Sequence, residues 1–281
     1  GMRVVVAALF MLCALGAAAS ARAAPQADLW PRWQAHDPEA DARIDHAAWT
    51  AFLEQYRRGG GSGVARLDYG AVDPADAARL ERYIARLAGI RISEHARPVQ
   101  MAYWINLYNA VTVDVVLEHY PVESIRDIDI SPGWFASGPW GAKLVEVEGV
   151  ELSLDDIEHR ILRPIWNDPR IHYAVNCAAI GCPDLQPRAF TADNLDALLD
   201  AGARGYVNDR RGVRVADGDV VVSSIYEWFQ ADFGGTEAGV LDHLRRYADD
   251  SRAAALGPRE SYGDHRYDWS LNDQEALHES K

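Results

Sequence analysis

Two of the three cysteines of this chain, Cys177 and Cys182, close the run His172-Tyr-Ala-Val-Asn-Cys177-Ala-Ala-Ile-Gly-Cys182-Pro183. A thiol near an imidazole and a carboxamide can do nucleophilic chemistry: the imidazole draws the thiol proton and a third group holds the ring. In that reading Cys177 is the nucleophile, His172 or His159 the base, and Glu158 or Asn176 the orienting group. Asn106 supplies an oxyanion donor and Asn109, three positions on, a binding group for an amide or ester substrate. The same residues have a quieter reading. The thiols enclose Ala-Ala-Ile-Gly, a loop short enough to close as a disulfide, and buried asparagines commonly satisfy backbone groups. A metal site using both thiols with His172 or His159 is weaker. The thiol spacing is at the wide edge for zinc and there is no second cysteine pair, so no metal and no cofactor is expected.

The compartment bears on that choice. Arg3 precedes an apolar, alanine-rich stretch from Val4 to Ala19, too short for a membrane span of about 20 residues. Ala21-Arg22-Ala23 then fits a small-x-small cleavage signal, which predicts a leader over 1–23 and a protein that is periplasmic or secreted, without a membrane anchor. Cys13 lies within the leader, so the mature chain keeps only Cys177 and Cys182, in a space that favours a bridge. Loss of two arginines and no acids takes the net charge from −14 to −16. That balance argues against nucleic acid or an anionic membrane surface as partner, and leaves a small-molecule or peptide ligand.

The elements that must position these residues read as helices and short hairpins. After a lead-in over 24–43, Asp45 starts a helix to about Arg58, with Trp49, Phe52, Leu53 and Tyr56 on one face. Gly59-Gly-Gly-Ser-Gly63 breaks it, a short strand follows within Val64–Tyr69, and a helix runs over Pro74–Ala88. About Pro98 to His119 is the longest and most apolar helix. The loop 131–142 carries Trp134, Phe135 and Trp140, which either pack inward or line a cleft. Glu148-Gly149 and Asp217-Gly218 mark two hairpins. Ser153 caps a helix to about Leu162, placing Glu158 and His159 at its end. Ile171–Val175 reads as a strand, which would set His172 and Asn176 on one face. Helices follow from Thr191 to about Val207, from Ser224, and over about Gly239–Tyr247. Asp232, at a helix end, pairs with Arg170 or Arg160, and Arg170 is also a candidate binding residue. From Asp249 the chain reads as a polar, irregular tail. The class is α+β, a mainly helical single domain over 44–248 with a small antiparallel sheet built from short hairpins.

Four pieces in order now carry a resemblance: Ala102-Tyr-Trp-Ile-Asn-Leu-Tyr-Asn109, Leu154-Asp-Asp-Ile-Glu-His159, Arg170-Ile-His-Tyr-Ala-Val-Asn-Cys177 with Cys182-Pro183, and Trp228-Phe-Gln-Ala-Asp-Phe233. Together they resemble the domain of unknown function 547 family over roughly 44–235, in an exported bacterial member. The resemblance implies a shared fold and brings no established activity. A papain-like or transglutaminase-like enzyme would set its cysteine at the start of the long helix, whereas here that helix carries Asn106 and no cysteine. Two functions therefore stand. One is a cysteine-dependent amide or ester hydrolase or acyl transferase. The other is a non-catalytic periplasmic binding module, in which a Cys177–Cys182 disulfide shapes a cleft lined by Trp134, Phe135 and Trp140.

Overall fold

The computed structural model describes residues 24–61, 63–133 and 136–275. The expected leader, and Trp134 and Phe135, lie outside the described residues. Helix α1 (Ala47–Tyr56) buries Trp49, Phe52, Leu53 and Tyr56, and the Asp45 carboxylate accepts from the Ala47 N–H at 2.8 Å. Strands β1 (Arg57–Arg58) and β2 (Arg66–Leu67) pair across the glycine loop. Helix α2 (Pro74–Ala88) is capped by Asp73, with Pro74 in the first turn where no N–H is missed. Helix α2 lies between α1 and α3 (Arg97–His119), in contact with both. Every residue of α3 from Val99 to Val113 is buried, as expected of a helix that is apolar on nearly all sides.

The hairpins turn where the sequence places them. Strands β3 (Val145–Val147) and β4 (Val150–Leu152) are antiparallel, with Glu148 and Gly149 both at positive φ, +48° and +77°. That pair is the geometry a two-residue turn needs to match strand twist. Helices α4 (Arg163–Trp166) and α5 (Ile171–Ala174) are single turns, and α6 is Leu195–Asn208. Strands β5 (Val213–Ala216) and β6 (Asp219–Ser223) form the second hairpin, followed by α7 (Ser224–Trp228), α8 (Glu237–Tyr247) and α9 (Asp250–Leu256). Strand β7 (Asp264–Arg266) pairs in parallel with β6. The class is α+β and mainly helical, but the strands form three separate small sheets and one pairing is parallel.

Two expectations fail. Ile171–Ala174 is a helical turn rather than a strand. The Asp168 carboxylate accepts from the Arg170 N–H at 2.9 Å, and Pro169 fixes φ where the turn begins, so an Asp-Pro start outweighs the apolar run. Asn176 lies beyond the end of this turn, and the two side chains go to different partners, His172 to Asp232 and Asn176 to the Pro183 carbonyl. The tail from Asp249 is not irregular either. After α9 and β7 it crosses back over the molecule: Ile180 N–H donates to Ser270 O at 2.8 Å, Leu271 N–H to Glu123 O at 2.8 Å, and Asn272 N–H to Ala178 O at 2.9 Å. Backbone pairing and burial of Leu271 and Asn272 outweigh the polar composition.

What holds the segment from α5 to Phe190 against α3 is a set of carboxamides. Asn106, fully buried, donates to Phe190 O at 2.7 Å and accepts from Phe190 N–H at 3.0 Å. Asn109 donates to Ala174 O at 2.9 Å and accepts from Asn176 N–H at 2.8 Å. Replacing Asn106 by Ala strands a buried donor and a buried acceptor at once, so Asn106→Ala should destabilise by about 2–4 kcal/mol. A urea titration checks this through a lowered midpoint at unchanged slope. A loss below about 1 kcal/mol would show that water restores both bonds.

Candidate functional site

Glu158 and His159 sit inside a wider turn than an α-helix. Asp156–Leu162 is π-helical, and the Arg163 N–H reaches back to Glu158 O. Pro164 accounts for this: it has no N–H for the carbonyl four residues back and its ring crowds that turn. The carbonyls left over are taken by the lead-in, with Asp28 N–H on His159 O at 2.9 Å and Trp30 N–H on Arg160 O at 3.0 Å. The widened turn aims Glu158, His159 and Arg163 at the end of α7, a placement that π-helical turns often serve at functional sites.

There the ring of Phe229 is the hub. The His172 ring stacks on it at 4.4 Å, the His159 ring lies at 5.7 Å, and the Arg163 guanidinium carbon at 4.7 Å. His172 Nε2 donates to Asp232 Oδ2 at 2.7 Å, and its Nδ1 lies 3.8 Å from Glu158 Oε1. Arg163 Nε donates to the same Asp232 oxygen at 2.6 Å, and its Nη1 to His159 Nδ1 at 3.0 Å. Since an arginine only donates, His159 Nδ1 is an acceptor and the proton of the neutral ring is on Nε2. Burial lowers His159 to about 4, with Arg163 adding to the effect against the charge of Glu158. For Asp232 burial pulls the carboxyl upward, but hydrogen bonds from His172 and Arg163 outweigh it and hold the carboxyl well below its usual range. Burial first, then the nearby charge of Glu158, drives the phenol of Tyr108, on α3, well above the ordinary value.

The sulfurs border this cluster. Cys177 and Cys182 are bonded to each other at 2.05 Å. The Tyr267 hydroxyl, from the returning C-terminal segment, is 3.0 Å from both sulfurs. Tyr267 belongs to a group of four rings: it lies 4.8 Å from Trp228 and 4.7 Å from Trp269, and Trp269 lies 5.7 Å from Trp140. Trp228 and Phe229 are neighbours in sequence, so the aromatic group and the ionisable cluster are adjoining parts of one region.

Of the residues expected to act together, Glu158, His159 and His172 meet. Cys177 is half of a disulfide under the Tyr267 hydroxyl, with no thiol to ionise. Asn106 and Asn109 are occupied by backbone groups. So is Asn176, which donates to Pro183 O at 2.7 Å and accepts from Ala178 N–H at 2.8 Å. None of these amides is left to face an oxyanion. Arg170 is not part of the cluster; its guanidinium bonds Asp168, Asp196 and Asp200 at 2.7–2.9 Å. Asp232 therefore pairs with Arg163 and His172, not with Arg170 or Arg160; Arg160 is drawn to Asp156 and lies over the Trp30 ring. Trp140 joins the aromatic group through Trp269, while Trp134 and Phe135, expected with it on a cleft wall, lie outside the described residues. Arg163, Tyr108 and Tyr267 went unnoticed as site residues. The four-residue offset from His159 to Arg163 was the available signal for the first.

In comparison with protein families, residues 92–207 match the family described as protein of unknown function, DUF547. The chain carries a domain of the DUF547 family. The matched span lies within the 44–235 of the sequence resemblance and contains every ionisable member of the cluster except Asp232. No curated protein and no solved structure matches the chain. Among the described residues no helix is long and apolar enough to cross a membrane.

Two measurements test the site as described. Iodoacetamide applied to the native protein without reductant should leave Cys177 and Cys182 unmodified, with both alkylated after reduction in a peptide map. Alkylation of Cys177 in the unreduced protein would restore it as a nucleophile. The second is pH. Burial lowers His46, His159 and His243 to about 4, against about 6.5 unfolded. The unfolded chain thus takes up these protons first, so their contribution is complete above pH 6.5 and lost as pH falls toward 4. Asp114, pushed up to about 7 by burial, works in the opposite direction across the same window. Three groups against one should leave a loss on the order of a few kcal/mol between pH 6.5 and 4, and His159→Gln should flatten the slope. Urea midpoints at several pH values read both.

Proposed function

We propose that the protein is an exported amide or ester hydrolase or acyl transferase whose proton chemistry is done by Glu158 and His172. The observation that carries this is the bracketing of His172 by two carboxylates, Asp232 at 2.7 Å and Glu158 at 3.8 Å, in a water-poor cluster. Burying this many ionisable groups is unfavourable unless they pair, and such clusters concentrate at functional sites. Asp232 accepts the Nε2 proton, fixes the ring and leaves Nδ1 turned to Glu158. Glu158 is the proton acceptor for an attacking water or acyl acceptor. The imidazole supports the proton it takes, through a contact that shortens when substrate closes the site. With Cys177 in the disulfide, the nucleophile is external, and the bridge shapes the wall beside the cluster. The adjoining rings Trp140, Trp228, Tyr267 and Trp269 are the surface on which substrate rests.

The closed bridge and the ring group also favour a second reading, a non-catalytic periplasmic binding module that holds a small-molecule or peptide ligand. Turnover separates the two. With 4-nitrophenyl acetate, 4-nitrophenyl butyrate and N-acetyl-alanine 4-nitroanilide as probes, we expect measurable hydrolysis. Glu158→Gln and His172→Asn should each cut kcat by about 100-fold or more. Thermal midpoints shifted by no more than a few degrees would show that the fold survives. A Glu158→Gln protein as fast as wild type would remove Glu158 from the reaction. Absence of turnover on all three probes would leave the binding module as the reading.

A further inference from the structure

A cavity of about 350 Å³ lies between Gly59, Gly61 and Gly63, the Asp184–Pro187 segment and one face of α6, and none of its lining residues belongs to the acid–base cluster. Its size is within the range of small-molecule sites.

Two features point to an occupant. The first is Gly205. Glycine inside a helix destabilises it relative to alanine, so a helical glycine calls for a reason. Gly202 has one: a Cβ there would come 3.2 Å from Tyr173 O and 3.3 Å from Tyr173 Cβ. A Cβ on Gly205 would meet nothing within 4 Å. Gly205 is an exposed position on the cavity rim, so packing against the protein does not require a glycine there. The second is the arrangement of charge. Asp184 Oδ1 accepts from Ala65 N–H and Arg211 Nη2, each at 3.0 Å, and Asp209 Oδ1 accepts from the Arg211 N–H and Nε. The Oδ2 atoms of both have no hydrogen bond among the described residues. Arg57 donates Nε to Leu185 O at 2.6 Å and Nη1 to Gly59 O at 3.1 Å, and its Nη2 is likewise unmatched among them.

We infer that this cavity binds a small zwitterion, an α-amino acid or dipeptide, with its ammonium on Asp184 and Asp209 and its carboxylate on Arg57. The two arginines and two aspartates sum to no net charge, which matches a ligand that is neutral overall and charged at both ends. A simple anion would meet two carboxylates, and a simple cation would meet the open edge of a guanidinium. Charge-assisted bonds at both ends then set orientation.

The test is calorimetric titration of the folded full-length protein with glycine, L-alanine and L-alanyl-L-alanine, with acetate and ethylamine as single-charge controls. We expect saturable binding of at least one zwitterion and none of the controls at about 10 mM. Arg57→Gln should weaken binding about tenfold or more, the loss of one charged hydrogen bond. Gly205→Leu should abolish it while leaving the thermal midpoint equal or higher, because leucine fills the cavity and suits a helix. The Gly205→Leu arm stays decisive if Arg57→Gln proves unstable. No saturable heat from any zwitterion overturns the inference, as does equal binding of a control or Gly205→Leu affinity within about twofold of wild type. Ester hydrolysis is read separately, so either proposal can fail without the other.

Discussion

The stretch from Ala174 to Phe190 is fastened to α3 by asparagine amides, and the rest of the site depends on that fastening. A chain leaving a one-turn helix for a cysteine loop has no ladder of its own to satisfy its backbone. Asn106 and Asn109 stand in for a neighbouring strand, each offering one donor and one acceptor to the main chain. Asn176 repeats the device at the loop itself and is touched by Asn272 from the returning tail at 3.3 Å. In a low-dielectric core such a network sets position firmly, because each unmade bond is an unpaired buried group. Its consequence is that His172 and the disulfide are fixed relative to α3 and so to Tyr108.

The ionisable cluster follows a related logic. Arg163, Asp232, His172 and Glu158 are all largely buried, and each faces a group of complementary charge or a hydrogen-bond partner. Isolated, any of them would shift its protonation or remain in water. Together, with His172 and Arg163 against the Phe229 ring, they form a chain in which Asp232 keeps its charge because two donors converge on one oxygen. His159 loses its charge because burial and an arginine both disfavour a second proton. The π-helical turn and Pro164 make this possible by rotating Glu158, His159 and Arg163 out of α-helical phase. The lead-in then covers the carbonyls that the distortion frees.

Much of the architecture was readable from local signals. The start at Asp45, the proline starts, and the Glu148-Gly149 and Asp217-Gly218 turns act within a few residues, so α1, α2, α3, α6, α8 and both hairpins fall close to where patterning puts them. Ile171–Val175 was misread because an apolar run of that length fits a buried strand and a buried helical turn alike. The return of the chain over Leu271 and Asn272 was hidden by its polar composition. Its stability comes from backbone bonds to Ala178, Ile180 and Leu67, all remote in sequence.

For the site, the residue types were legible and their roles were not. Histidine, glutamate, paired cysteines and motif-borne asparagines announced chemistry near 106–182, and the family match falls on the same stretch. Whether an asparagine faces substrate or backbone depends on what folds against it, and Asn106 meets Phe190 across 84 residues. Likewise the partner of Asp232 is set by which cation reaches it first, and three competing carboxylates already hold Arg170. Periodicity and capping are properties of neighbours along the chain, so the sequence by itself determined the helices, the turns and the inventory of reactive groups. Distance between remote side chains is a property of packing, so only the tertiary structure decided that His172 lies between two carboxylates, with the sulfurs sealed under Tyr267.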